Sequence, residues 1–413
     1  MSKIVTLDNG LKLYLFSDDT KNRTYGAIYT FVGGRDTHFK LDGKDYNQVN
    51  GVAHFLEHYL LEKSKYGDLM ACFDNEYISA NGVTNQEETT YFINTVHDFE
   101  DNFIKLINTI NDPRFDENEI DDVKKPIISE INRSNDNPTR KYNEFIYKTL
   151  YKNLRYSITL GTEDNIKELT IDDIKVFHEA FYRPSNQAIL ITGKFDEDRI
   201  IELIKNEYDK FSFSNKEFVK DEIHEPAEVV ESEGTFVDKD KDEELELIYK
   251  IDVSNLSGEE KYKLDFYVSY LLSNNFSEKD PIFDEIRKRN ISPYTPDYDF
   301  NITQDNNLFV LNVSLTTNKQ DEALELFQNS LMNLKYDEES FKIFKNRALV
   351  NIINNSESIH SIGSKYFTIL RDYDYEIVDD IEFVNKMNLE ECMEMYNKLD
   401  FSNKCVIKRI KGE

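Results

Sequence analysis

The chain opens with short stretches in which apolar and polar residues alternate, the pattern of half-buried β-strands. One such run ends at Leu7, a second covers Leu11 to Phe16, and the Asp8-Asn9-Gly10 turn between them predicts a β-hairpin. A further strand is predicted from Gly26 to Val32. Residues 33–50 are rich in Gly, Asp and Asn, and are therefore predicted to form a loop.

Apolar residues at helical spacing, or in short buried runs, predict most of the remaining elements. Helices are predicted at Gly51–Glu62, Asp98–Ile110, Asn118–Ser134 with a break or start at Pro126, Thr170–Phe181, Asp198–Phe211, Glu259–Ser273, Gln320–Leu334 and Glu338–Asn354. Strands are predicted at 86–97, Ala188–Gly193, Glu244–Val253 and Leu308–Thr316.

A charged stretch without an apolar period divides the chain into two halves of similar length. We predict a first domain at 1–213, a linker at 214–234 and a second domain at 235–413. Strands and helices alternate imperfectly, which favours an α+β fold with antiparallel-rich sheets over a parallel α/β sheet. Both halves run strand, helix, strands, helices, and this order suggests a duplicated unit.

Composition narrows the classes of partner and compartment. The formal charge of −29 argues against nucleic acid or an anionic membrane as a partner, and it suits either solubility or a basic peptide. Three cysteines without metal spacing indicate a reducing compartment. The N-terminus has no apolar signal core and no run of eighteen apolar residues occurs, so no membrane span and a cytoplasmic location are predicted.

The strongest chemical signal is His54-Phe55-Leu56-Glu57-His58. On a helix, positions i and i+4 share a face, so both imidazoles can reach one Zn²⁺. Glu57 then lies beside the metal, where it can take a proton from metal-activated water and pass it to a leaving amine. The neighbouring apolar residues indicate a buried helix, which disfavours two solvated surface histidines.

A catalytic zinc site needs a third protein ligand and one open position. Glu130 is the candidate, because Val123, Ile127 and Glu130 fall at i, i+4 and i+7 of one helix face. An inward carboxylate needs a partner, and spacing alone leaves two alternatives open: a metal, or an Arg or Lys side chain.

These motifs resemble the M16 (pitrilysin-like) zinc peptidase family, especially its small members related to the mitochondrial processing peptidase. The resemblance runs over nearly the whole chain. It is carried by residues 8–10, 33–36, 51–58, 81–92, 127–130, 161–164 and 181–186, and by Arg287 and Tyr294 seven residues apart in the second half.

The resemblance implies roles for individual residues. It makes His54, His58 and Glu130 the ligands of one zinc per chain and Glu57 the general base. Further roles concern the substrate: the edge strand Asn81, Gly82, Val83 and Thr84 would pair with an extended peptide, and Arg287 and Tyr294 would grip the substrate and stabilise the oxyanion. The alternative interpretation of Tyr294 is an aromatic residue without a catalytic role, in a loop flanked by Pro293 and Pro296.

The resemblance also implies the family fold, two similar α+β domains in one chain, and a zinc-dependent endopeptidase that cleaves extended peptides or small unfolded proteins in a chamber. A chain of this length would form half of that chamber and act as a homodimer, or as a heterodimer with a related chain. One departure concerns Val123, which stands where the family often has an acid; Asp121 or Asp122 could substitute. The alternatives are a non-catalytic peptide-binding or scaffold subunit and a different metal-dependent hydrolase.

Overall fold

The computed structural model describes most of the chain. The described residues are 2–153, 159–221, 225–239, 241–276, 281–303, 307–355, 365, 367–369, 373, 375 and 379–412. They form strands β1 Ser2–Thr6, β2 Lys12–Ser17, β3 Thr24–Thr30, β4 His38–Leu41, β5 Lys44–Asn47, β6 Ser79–Thr84, β7 Thr89–Thr95, β8 Gln187–Gly193, β9 Phe218–Lys220, β10 Glu233–Asp238, β11 Glu244–Asp252, β12 Asp297–Thr303, β13 Leu308–Thr316 and β14 Lys404–Lys411.

The helices are interspersed with these strands along the chain. They are α1 Val52–Glu62, α2 Leu69–Asn75, α3 Phe99–Asn111, α4 Ile120–Asn135, α5 Pro138–Leu150, α6 Glu163–Glu168, α7 Ile171–Phe181, α8 Glu197–Tyr208, α9 Gly258–Asn275, α10 Pro281–Lys288, α11 Gln320–Met332, α12 Glu338–Asn355, α13 Asp380–Lys386 and α14 Leu389–Asn397. No described helix is long and apolar enough to cross a membrane.

The chain folds into two compact units. The first contains residues 1–140, 154–222 and 358–367, and the second contains 141–153, 223–357 and 368–413. The boundary at 222 lies inside the predicted linker. The units are not separated by a single cut at that point, because residues 141–153, which include most of α5, belong to the second unit.

The first unit is built on a six-stranded sheet in the order β1-β2-β8-β3-β7-β6. The predicted hairpin of β1 and β2 is confirmed, with Ile4 opposite Tyr14. β2 and β8 are the only parallel neighbours in this sheet, and the other pairs are antiparallel. Helices pack on the sheet through buried side chains such as Phe55, Phe103 and Phe177.

The second unit repeats this arrangement. Its five strands run β10-β14-β11-β13-β12, the same order as β2-β8-β3-β7-β6, and again only the first pair is parallel. Its core includes Leu264, Leu271, Phe309 and Phe327. The predicted α+β fold with two similar domains is therefore confirmed, and the duplication is visible in strand order although the sequence has no plain repeat.

A buried ion pair connects the end of α5 to the second sheet. Lys250 on β11 lies 2.7 Å from Glu225, and both side chains are fully buried. Glu225 also accepts hydrogen bonds from the backbone N–H groups of Lys152 and Asn153, just after α5. Lys250 donates to the carbonyl of Leu150 as well. These contacts hold the end of α5 against the second sheet.

Two local predictions were wrong: the loop at 33–50 and the break or start of a helix at Pro126. The predicted loop at 33–50 contains the hairpin β4–β5, whose turn residues Asp42 and Gly43 both have positive φ, so the Asp-Gly signal was present but missed. Within the residues predicted as a linker, Phe218–Lys220 form β9, which pairs with β4. Helix α4 runs without a break through Pro126, because its apolar face, including Val123 and Ile127, is held in the core on both sides of that residue.

Candidate metal centre

Helix α1 carries three of the four residues that form the site, and its start is set by a glycine. Gly51 has φ +91°, and a Cβ there would lie 2.5 Å from the carbonyl oxygen of Leu160. Only glycine fits this close, left-handed corner. The helix then begins at Val52 and turns His54 and His58 to one face, with ring centres 4.7 Å apart.

Helix α4 supplies the third group. Glu130 Oε2 lies 3.8 Å from His54 Nε2 and 3.8 Å from His58 Nε2. The three ligand atoms all lie within 4.8 Å of one another, and they are the only such group of three among the described residues. The structure therefore brings together the three residues that the sequence predicted as metal ligands.

The donor set fits zinc. Two imidazole nitrogens and one carboxylate oxygen are the three-ligand set of a catalytic zinc site, whose ligand atoms at about 2.1 Å from the metal lie about 3.4 Å from one another. The observed separations of 3.8 Å are slightly wider. No described Arg or Lys forms an ion pair with Glu130, so the cationic side chain that was the alternative partner is not found in the described part of the chain.

Burial sets the protonation of the first ligand. His54 is 6% exposed, and this burial, followed by the charge of His58, lowers the pKa of His54 to about 4. Its imidazole is therefore neutral near pH 7, which is the form that binds a metal. Its buried Nδ1 has no hydrogen-bond partner among the described residues.

The second histidine has a different environment. Its Nδ1 lies 3.0 Å from Glu62 Oε1, one helical turn further along α1. Burial opposes the charged form, but the hydrogen bond to Glu62 and the nearby carboxylates outweigh it, so the pKa of His58 is raised. If Nδ1–H donates to Glu62, the lone pair of Nε2 faces Glu130. Glu62 was not predicted from the sequence, although its i+4 spacing from His58 was a usable signal.

Glu57 lies on the same helix and is also 6% exposed. Burial raises the pKa of Glu57, and the charge of His58 and a hydrogen bond from Thr84 act in the opposite direction. A carboxyl group whose pKa is raised by burial holds a proton more readily, which suits it to accept and return one. The carboxylate thus lies next to the donor cluster in a water-poor environment.

Two groups of residues near the cluster were also considered in the sequence: Val123 with the neighbouring aspartates, and strand β6. Val123 is fully buried in the core. Asp121 and Asp122 are largely exposed and pair with Lys124 and Lys125 on the surface, so neither replaces an acid at position 123. On β6, Gly82 and Thr84 face Glu57, whereas Asn81 and Val83 are exposed.

The two residues predicted from the second half lie in the second unit. Arg287 is exposed on α10, and its guanidinium carbon lies 5.5 Å from the centre of the Phe283 ring. Tyr294 is 56% exposed and follows in the loop before β12. Both side chains are accessible on that unit.

Family models match both halves of the chain. Residues 43–163 match the model described as Insulinase (Peptidase family M16), and residues 168–347 match that described as Peptidase M16 inactive domain. The two matches together cover well over half of the chain. It belongs to peptidase family M16. All three predicted ligands and Glu57 fall in the first matched segment.

Individual proteins with sequences similar to this M16 chain include peptidases. The zinc protease YmfH of Bacillus subtilis is 32% identical over 233 residues, which are 56% of this chain and 53% of YmfH. The mitochondrial-processing peptidase subunit beta of Dictyostelium discoideum is 24% identical over 219 residues, 50% of this chain and 44% of that protein. The match thus spans about half the length of these curated relatives.

Solved structures show the same fold for this M16 chain. An M16-like peptidase from Alicyclobacillus acidocaldarius superposes with a TM-score of 0.86 over 100% of this chain and 98% of that one, at 20% identity. A protease from Helicobacter pylori gives 0.79 over 100% and 99%, at 18% identity.

Proposed function

We propose that this chain is a zinc-dependent endopeptidase that binds one Zn²⁺ through His54, His58 and Glu130. The observation that carries the proposal is the convergence of these three donors, with the buried carboxylate of Glu57 on the same helix. The names of relatives such as the zinc protease YmfH support the choice of metal and reaction class.

The proposed chemistry is hydrolysis of a peptide bond. A zinc ion held by His54, His58 and Glu130 would supply Lewis acidity, which would lower the pKa of a water molecule and polarise the scissile carbonyl. Glu57 takes a proton from the attacking water and delivers it to the leaving nitrogen, so a C–O bond forms as the C–N bond breaks. The burial of Glu57 keeps bulk water from competing for that proton.

Strand β6 is the proposed platform for the substrate. It is the last strand of its sheet, and no described strand pairs with its outer edge. An extended peptide can add to such an edge through backbone hydrogen bonds, which are independent of sequence. Asn81 and Val83 are the exposed side chains on this strand. Arg287 and Tyr294 are proposed to bind substrate and stabilise the oxyanion, as the family resemblance implies.

A dimer is proposed as the working form, either of two copies or with a related chain. Pitrilysin has the same fold. The structural alignment includes 99% of this chain but only 44% of the pitrilysin chain. A second chain would supply the remaining half.

The free state of all three cysteines agrees with the predicted cytoplasmic location.

The test combines zinc stoichiometry with cleavage of a quenched peptide library, with and without chelator. One zinc per chain and cleavage that stops on chelation and returns with added zinc are expected. Zinc binding without cleavage, in the presence of every candidate partner chain, would contradict the peptidase.

A second candidate is a non-catalytic subunit, because the model that matches residues 168–347 is described as an inactive domain. Such a subunit would bind peptide without cleaving it. The retained cluster of His54, His58 and Glu130 favours the enzyme, since a scaffold has no need of three converging donors. Cleavage by the purified chain separates the two.

A further inference from the structure

Strand β6 presents two different faces. Successive side chains of a strand point to opposite sides, and here Gly82 and Thr84 face helix α1, whereas Asn81 and Val83 are exposed. The residues that face α1 both meet Glu57. They therefore contact the proposed base, and they are separate from the face that is open to solvent.

Thr84 holds one oxygen of the Glu57 carboxylate. Its hydroxyl donates to Glu57 Oε2 at 2.9 Å. This is the one side-chain hydrogen bond of Glu57 within the described residues, so Thr84 is the hydrogen-bond donor that restrains rotation of the carboxylate. A buried carboxylate with a single donor depends strongly on that donor, because loss of the bond leaves the group unsatisfied.

The hydroxyl of Thr84 is itself directed towards Glu57. Its other neighbour is Thr89 Oγ1, which lies 3.5 Å away on β7, directly opposite in the strand register. Thr89 donates its own hydrogen to the carbonyl oxygen of Val32 at 2.9 Å. Glu57 is the nearer acceptor, and the hydrogen of Thr84 is therefore directed to it.

Gly82 leaves room for the second oxygen. A Cβ at this position would lie 2.5 Å from Glu57 Oε1, 3.0 Å from its Cδ and 2.8 Å from a methyl carbon of Leu61. These distances are shorter than van der Waals contact, so any side chain at 82 would displace the carboxylate. Glycine is required here because of this close approach and not because of an unusual backbone conformation.

We propose that Gly82 and Thr84 are positioning residues for Glu57: Thr84 orients one carboxylate oxygen and Gly82 admits the other. This inference rests on the proposed function, in which Glu57 is the base. It assigns to these two residues a role that differs from the contact with substrate predicted from the resemblance. Substrate contact by side chains on β6 is then left to Asn81 and Val83.

The test uses the zinc-loaded full chain with Thr84→Val, which removes the hydroxyl at nearly constant volume, and Thr84→Ser, which retains it. For Thr84→Val we expect kcat to fall by roughly tenfold or more, as for a misplaced catalytic group, while KM and zinc stoichiometry stay near wild type. The separate variant Thr84→Ser, which keeps the hydroxyl, should have a kcat near that of wild type. Gly82→Ala should also lower kcat without loss of zinc.

Crystal structures of Thr84→Val and wild type provide a readout that does not need turnover. The Glu57 carboxylate is expected to leave its wild-type position in the variant. An unchanged carboxylate, an unchanged kcat, or equal impairment of Thr84→Ser and Thr84→Val would overturn the proposal. Glu57→Gln separates this from the proposed function: an active Glu57→Gln refutes the base itself, whereas an inactive one beside a fully active Thr84→Val refutes only the positioning.

Discussion

Replacement of Glu62 should weaken zinc binding although this residue is not one of the three ligands. Its carboxylate lies 3.0 Å from His58 Nδ1, so it can select the tautomer that leaves Nε2 free for the metal. Removal of such a partner typically costs 10–100-fold in metal affinity. The side chains of His58 and Glu62 are 25% and 30% exposed, and solvent therefore weakens the interaction.

We accordingly expect Glu62→Ala to raise the zinc dissociation constant by about tenfold, at the lower end of that range and equivalent to about 1.4 kcal/mol. Glu62→Gln keeps a hydrogen-bond acceptor but loses the charge, so its effect should be smaller. The assay is a competitive zinc titration against a chromophoric chelator at constant pH, with thermal unfolding to check that each variant folds.

Glu394→Ala is the matched control. Glu394 forms an i,i+4 pair with Lys398 on the surface of α14 in the second unit, with side chains 64% and 70% exposed. This substitution should leave zinc affinity unchanged. If Glu62→Ala binds zinc as tightly as wild type, the hydrogen bond to His58 does not orient the ligand.

Three further results are expected. Glu57→Gln should keep one zinc but lower kcat by about 10²–10⁴-fold, measured by metal analysis and peptide cleavage; an active variant would refute the assignment of the base. Lys250→Met should lower the free energy of unfolding by about 3–5 kcal/mol in denaturant titrations, because Glu225 would keep a buried charge without its partner; Lys398→Met, at an exposed pair, should change it little, and equal effects would contradict the argument. Cleavage of Lys- and Arg-rich peptides should slow as salt increases, because the chain carries a formal charge of −29, and acidic peptides cleaved at the same rate would count against this attraction.

Features that depend on neighbours along the chain could be predicted from the amino-acid sequence. The β1–β2 hairpin followed from alternation around Asp8-Asn9-Gly10, and the start of α7 followed from Thr170, which forms a capping box with Asp173. The facing of His54 and His58 followed from helical spacing, because i and i+4 share a face wherever a helix forms. Glu62 was within reach of the same rule.

Contacts between groups distant in sequence became known from the folded chain and could not be predicted from spacing. Spacing left Glu130 equally suited to a metal or to a cation, and the packing of α4 on α1 brought it to the two imidazoles. The contact of Thr84 with Glu57 and the burial of Lys250 against Glu225 likewise join elements far apart in sequence. Periodicity reports which face of an element is buried, but the partner on that face is selected by packing and by the cost of an unpaired buried charge.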